Sequence, residues 1–135
     1  MKGSYVLIIE LKENKTLQIG KLGKTYFKKG FYIYVGSALN SLEKRIQRHL
    51  IKNKKMHWHI DYLLHYAKII NVFYKESNKR EECYVVKKLD KKFLSITDFG
   101  CSDCKCNSHL FYSSKNNIMP IIVEMNFQLY FNAKP

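Results

Sequence analysis

A chain of 135 residues with 46% hydrophobic side chains is long enough to bury one core and too apolar to remain disordered. Its 24 Lys and Arg against 11 Asp and Glu give a formal net charge of +13, which reads as attraction to polyanions, DNA or RNA, with a merely hydrated basic surface as the alternative. No apolar run is long enough to span a membrane, and Tyr5 to Ile9 is too short for a signal peptide, so the expectation is a cytoplasmic protein whose four cysteines stay reduced or bind metal.

Ser4 to Leu11 is nearly continuously apolar and predicts a central strand. Glu13-Asn14-Lys15 marks a turn, Thr16 to Gly20 a second strand in a hairpin, and Tyr26-Phe27 a short further strand. Gly30 opens the strand Phe31 to Val35, which runs on into Gly36-Ser37-Ala38. Asn40 or Ser41 can cap a helix to about Leu50 with Leu42, Ile46 and Leu50 as its apolar stripe. Arg45 and His49, one turn apart, flank that stripe where side chains can line a cleft. After the basic turn Lys52 to Lys55, His57 to Leu64 leads into a second, short helix, and Ile69 to Tyr74 reads as a strand. Asn78 and Glu81 signal a helix start, with the helix running to about Lys92. Phe99 to His109 is a cysteine-rich loop, and Ile118 to Phe131 has strand character interrupted by Pro120. The order of elements predicts one small α+β or mixed α/β domain.

Three groups of residues carry chemistry. Tyr5 and Tyr34 on two strands, Arg45 and His49 on a helix, and Glu82 downstream are equipment for phosphate chemistry. A tyrosine beside cations can accept a proton, and a guanidinium can neutralise phosphoryl charge. Glu82 shares a helical face with Val85, Val86 and Leu89, and a carboxylate on an apolar stripe is explained by a Mg²⁺ ion or by a paired lysine. His57, His59 and Asp61 form the second group, read as a metal cluster, as an aromatic-rich turn that packs Trp58, or as a DNA-facing edge with His57 beside the cleft. The edge would be lined by Lys44, Arg48, Lys52, Lys54 and Lys55. Cys101, Cys104, Cys106 and His109 are the third: four soft ligands within nine residues, fit for structural Zn²⁺ or else for a compact turn of buried cysteines, with Cys83 assigned to the core.

Ser4-Tyr5-Val6, Tyr34-Val35-Gly36, then Leu42, Arg45 and His49, then a helix bearing Glu82 resemble the GIY-YIG nuclease superfamily over about residues 4 to 93. More narrowly, Tyr34-Val35-Gly36-Ser37-Ala38, the run His57 to Leu64 and the run Phe99 to Cys106 are similar to domain-of-unknown-function family 123, a prokaryotic branch regarded as Uri-type endonucleases and sometimes fused to endonuclease III. The resemblance implies a three-layer sandwich on a small mixed central sheet, occupying residues 1–135 as a single domain with a cysteine-rich loop at about 99–110 and a C-terminal strand extension. It implies Mg²⁺ or Mn²⁺ held by Glu82, Tyr34 as base with Tyr5 beside it, Arg45 as phosphate clamp with His49 as its partner, and a functional link to endonuclease III-type repair enzymes. Three features depart from the pattern: Ser4-Tyr5-Val6 stands where Gly-Ile-Tyr is usual, 29 positions separate Tyr5 from Tyr34, so strands between Thr16 and Phe27 must fill the gap, and the helix comes one residue late after Tyr34. The expectation is a metal-dependent endonuclease for branched or damaged DNA. Its rivals are a catalytically weak binding module that works with a repair partner, and an interaction protein whose zinc loop is the contact surface.

Overall fold

The apolar run after Gly3 is β1 (Gly3–Leu11), a strand buried along nearly its whole length. A computed structural model describes residues 2–79, 81–100 and 106–133. In chain order the further elements are β2 (Lys15–Ile19), β3 (Gly23–Phe27), β4 (Gly30–Ala38), α1 (Leu42–Leu50), α2 (His59–Leu64), β5 (Lys68–Glu76), α3 (Glu82–Asp90), β6 (Leu94–Ser95), β7 (Leu110–Ser113), α4 (Met119–Glu124) and β8 (Gln128–Asn132). The main sheet has the order β6-β7-β4-β1-β5-β8, and β2 and β3 form a separate two-stranded hairpin.

Side chains alternate across a strand, so a strand without polar alternation must be covered on both faces. Tyr5, Leu7, Ile9 and Leu11 point to a core shared with Leu42 and Ile46 of α1 and Ile60, Leu63 and Leu64 of α2. Val6 and Ile8 point the other way, to Val85, Val86 and Leu89 of α3 and Ile121 and Ile122 of α4. Two helices on each face of one sheet make the three layers, and the α+β class holds. The hairpin of β2 and β3 fills the long gap between the first two sheet strands and packs Leu17, Ile19 and Phe27 into the first of these cores.

Two expectations need correction. The sheet is not mixed: every described strand pair is antiparallel. The helical crossover through α1 and α2 does join two strands of the same direction, β4 and β5, but β1 lies between them and runs against both. The C-terminal stretch is also not one strand. Ile118, Ile121, Ile122 and Met125 recur at steps of three, four and seven, the period of a helix, and Pro120 falls in the first turn, where its missing N–H is no loss. The chain leaves α4 at Asn126, whose φ of 70° is the left-handed exit that Asn tolerates, and then forms β8. The aromatic run Leu110 to Ser113 adds a strand, β7, beside β4. Among the described residues no helix is long and apolar enough to cross a membrane.

Candidate active site

In the ladder of β1 with β4, Tyr5 stands opposite Gly36. The Tyr5 ring lies across the Gly36 backbone, so a Cβ at that position would overlap the ring. Gly36→Ala should therefore destabilise the fold by about 1–3 kcal/mol, the usual range for forcing a methyl group into a filled core. Urea denaturation of the two chains tests this, and equal midpoints would mean that the ring is not seated there.

Laid over Gly36, the Tyr5 hydroxyl meets His49 Nε2 at 2.7 Å. His49 is only 2% exposed, so it is not on the cleft edge where the helical spacing placed it. Leu42 and Ile46 seat the inner face of α1, and the large Tyr5 ring extends the buried surface round to His49. Burial, reinforced first by the Lys54 charge, lowers the imidazole pKa to about 3, so the ring is neutral near pH 7. Burial and the neighbouring Tyr34 push the Tyr5 hydroxyl well above its ordinary range; Arg45 opposes this, while Glu82 and Asp61 add to it. Tyr5 therefore stays protonated. The second ring nitrogen of His49, Nδ1, is buried and has no hydrogen-bond partner among the described residues, a condition that functional sites tolerate more often than ordinary cores.

Tyr34 lies next in this cluster, its ring 6.5 Å from Tyr5, 6.0 Å from His49 and 6.4 Å from Phe99. At 9% exposure it is the less buried of the two tyrosines. A Cβ added at Gly100 would meet the Tyr34 ring edge and the His109 Cβ, each at 3.4 Å. With φ at +74° Gly100 is in the left-handed region, and its N–H donates to His59 Nδ1 at 3.1 Å. Gly100 is thus joined to the first turn of α2.

Arg45 projects from the half-buried side of α1. Its Nη1 donates to the Ser37 carbonyl at 2.6 Å, and its guanidinium lies 5.0 Å from the centre of the Trp58 ring. Arg48 lies 4.3 Å from the same ring, so two cations hold one indole, a geometry worth about 0.5–2 kcal/mol per contact. Arg48 also donates two hydrogen bonds at 3.0 Å to the Asp61 carboxylate and one to the Lys55 carbonyl. Asp61, with a fully buried side chain, further accepts from the backbone N–H groups of His57 and Trp58 at 2.9 Å and so caps α2. Burial alone would raise the Asp61 pKa, but Arg48 and these two N–H groups outweigh it and hold the carboxyl below its usual range. Asp61 is therefore a structural anion.

Glu82 is the first residue of α3, where the helix dipole favours a carboxylate, and it is 8% exposed. Its negative charge adds to the upward push on the Tyr5 hydroxyl. Tyr5, Tyr34 and His49 are in contact, Arg45 reaches His49 through the Trp58 ring that both approach, and Glu82 comes from α3 on the other face of the sheet. The residues expected along a nucleic-acid edge divide. Lys44, Lys55 and His57 are exposed. Arg48 is engaged as described, Lys52 donates to the carbonyls of Leu64 and Ala67, and Lys54 donates to those of Arg48, His49 and Ile51 at the end of α1. Of the cysteine set, Cys101 and Cys104 lie outside the described residues. Cys106 has its Sγ 3.1 Å from that of Cys83, and His109 Nδ1 is 3.1 Å from the Val35 carbonyl. Among the described residues no three His, Cys, Asp or Glu side chains are grouped to hold an ion.

Sequence reasoning named Trp58 and Asp61 but missed what they do. Two arginines one turn apart, upstream of a Trp flanked by two histidines, were the available signal for a cation–π clamp, and Asp61 three residues after the cap position was the signal for a carboxylate that reaches back to the cap N–H. A family model described as "Domain of unknown function DUF123" matches residues 4–130. No curated protein and no solved structure matches the chain at a significant level.

Proposed function

The chain belongs to the DUF123 family, and from that premise and the site geometry we propose that it is a metal-dependent DNA endonuclease of the GIY-YIG, Uri-like type. The observation that carries the reading is the cluster of Tyr5, Tyr34 and His49, with Arg45 held over the Trp58 ring that borders His49, a neutral histidine fastened to a protonated tyrosine at its centre, and the Glu82 charge felt at Tyr5.

In this reading the floor positions and the rim reacts. His49 and Tyr5 form a fixed, uncharged platform, and neither exchanges protons with solvent near pH 7. Tyr34, ring to ring with both, is the group that, as phenolate after its own proton has passed to bulk water, takes the proton from the attacking water as oxygen adds to phosphorus. Arg45 is held at one end by the Ser37 carbonyl and on its face by Trp58, so its remaining N–H donors are pre-aimed at the charge that builds on the phosphoryl oxygens. Glu82 fits a hard cation: it is a largely buried oxygen-donor carboxylate whose charge is felt at Tyr5, and one or two carboxylates completed by water are how Mg²⁺ or Mn²⁺ is commonly held. When bound there, such an ion supplies charge stabilisation for the departing 3′ oxygen. We read the cysteine segment separately, as a structural zinc site, and an endonuclease III-type repair enzyme as a partner.

The test is cleavage by the purified chain on a panel of duplex, flapped, branched and abasic DNA with Mg²⁺, Mn²⁺ or EDTA. Cleavage of at least one form, abolished by EDTA, is the expected result. Failure on every DNA and RNA form would leave a nucleic-acid-binding module.

Binding itself should be mainly electrostatic. Beyond the site, exposed Lys12, Lys28 and Lys29 line a groove of about 410 Å³ with Tyr112 and Ser114. If about four to eight phosphates are neutralised, log affinity falls against log salt with a slope of roughly −4 to −7. Replacing these three lysines by Gln should flatten the slope by about 2–3 and leave turnover of saturating DNA unchanged. A flat slope in the wild type would contradict polyanion binding.

A further inference from the structure

The hairpin of β2 and β3 stands apart from the main sheet, and its two faces differ. Leu17, Ile19 and Phe27 turn inward to the core. The Phe27 ring lies 6.2 Å from that of Phe99, which in turn lies 6.4 Å from that of Tyr34, so the hairpin is one aromatic ring away from the candidate active site. Side chains alternate along each strand, and the other face holds the cross-strand pairs Thr16 with Tyr26 and Gln18 with Lys24, all four exposed.

Charge says what kind of partner covers this face. Residues 12–29 hold six lysines and a single carboxylate, that of Glu13, so the hairpin draws a polyanion and repels a second copy of this basic chain. Lys24 and exposed Lys28 have no ion-pair partner among the described residues. The frame beneath them is fixed. The Lys29 N–H donates to Asn14 Oδ1 at 2.7 Å, and the hydroxyls of Tyr32 and Tyr112 donate to the carbonyls of Lys28 and Lys29 at 2.6 and 2.7 Å.

Tyr26 says more about the partner. At 59% it is the most exposed of the described tyrosines. Tyr66 and Tyr84 each carry a lysine over the ring, and Tyr130 packs edge-on against Tyr74. The Tyr26 ring has no such ring or cation contact among the described residues. Ammonium groups bind phosphate in any strand form, but an open aromatic face gains from an unpaired base, whose own face is already stacked in a duplex.

We propose that the outer face of the β2–β3 hairpin holds a single-stranded segment of the DNA substrate, with one unpaired base stacked on Tyr26 and the flanking phosphates on Lys24 and Lys28. This rests on the nuclease reading and names its substrate class: a duplex that carries an unpaired arm.

The test measures the affinity of the full chain in EDTA for a blunt DNA duplex and for the same duplex with a single-stranded arm. The wild type should bind the armed duplex about 10-fold tighter or more, since one base on an aromatic ring is worth about 5–150-fold by alanine substitution. Tyr26→Ala should lose that gain and bind the blunt duplex as the wild type does. Tyr26→Phe should keep it, because stacking needs the ring and not the hydroxyl. Removing the arm's bases one at a time, with the sugar and phosphate left in place, should weaken the wild-type complex at one position and the Tyr26→Ala complex at none. If the wild type cuts DNA but binds armed and blunt duplexes alike, the inference is overturned while the nuclease reading stands. An equal loss of both duplexes by Tyr26→Ala, or a wild-type complex indifferent to every base of the arm, overturns it in the same way. If the wild type binds neither duplex, the inference and the nuclease reading fail together.

Discussion

Arg45→Ala should slow DNA cleavage by about 10²–10³ while leaving folding and DNA affinity close to wild type. The side chain is half-exposed, so its removal opens no core cavity. What it removes is a guanidinium held in place by the Ser37 carbonyl and the Trp58 face. A pre-aimed donor that acts on developing charge is worth about 2.7–4 kcal/mol in the transition state and little in the ground state. Arg45→Lys should recover only part of the rate, because an ammonium neither forks between carbonyl and phosphate nor stacks on indole as guanidinium does. Trp58→Phe keeps a ring under both cations and should act mildly, whereas Trp58→Ala should lower the turnover number with little change in KM. Single-turnover cleavage together with DNA binding separates these effects. Equal loss of rate and of affinity would mean that Arg45 serves binding alone.

Asp61→Ala should cost about 3–5 kcal/mol of stability, the usual result of breaking a buried ion pair from one side. The carboxylate accepts four hydrogen bonds and its side chain is fully buried, so the variant strands two backbone N–H groups of the α2 cap and leaves Arg48 without its anion. Asp61→Asn keeps one acceptor oxygen and should fall between the two. The same network makes the fold acid-sensitive. His49, with an ordinary pKa of 6.5, is lowered to about 3 in the fold. Below pH 6.5 the unfolded chain therefore binds a proton that the folded chain refuses, so stability is full above 6.5 and declines toward pH 3. Asp61 acts in the same sense lower down: its folded pKa lies below 3.8, so its contribution is present above that value and is lost as the pH falls through the folded one. Urea midpoints from pH 8 to 4 check the first window, with a slope approaching about 1.4 kcal/mol per pH unit per proton. A His49→Gln chain should show a flatter profile. Unchanged midpoints over that range would contradict the burial of His49.

Local pattern made much of this molecule legible. The unbroken apolar run of β1, the aromatic run of β4 and the stripe of α1 each have a single reading by period, and the Ser41 cap is where it was expected. Within Ile118 to Phe131 the strand reading holds only for the end that forms β8; the first half is helical because isoleucines suit both strand and helix, and Pro120 stands at the start of α4 rather than interrupting a strand. The site was legible as a set of residues but not as a geometry. Nothing local says that His49 turns inward, because that depends on a tyrosine 44 positions earlier lying flat on a glycine. Nor does charge alone separate Arg45 from Arg48. One turn of helix brings Arg48 to a buried carboxylate and leaves Arg45 beside the tyrosines. The lysines after α1 read as a DNA edge, but Lys52 and Lys54 cap carbonyls, because a helix end supplies acceptors that neighbouring ammonium groups satisfy.

The most direct test of a hydrolytic site at Tyr34, Arg45 and Glu82 is the dependence of DNA cleavage on Mg²⁺ concentration in wild type, Glu82→Gln and Tyr34→Phe. Glu82→Gln removes the charge at nearly constant volume, and Tyr34→Phe removes only a hydroxyl. The account predicts that EDTA stops the wild type, that Glu82→Gln is slow at low Mg²⁺ and partly recovers at high Mg²⁺, and that Tyr34→Phe stays slow at every concentration. Wild-type cleavage matched by both variants across the whole Mg²⁺ range would place the chemistry elsewhere and contradict it.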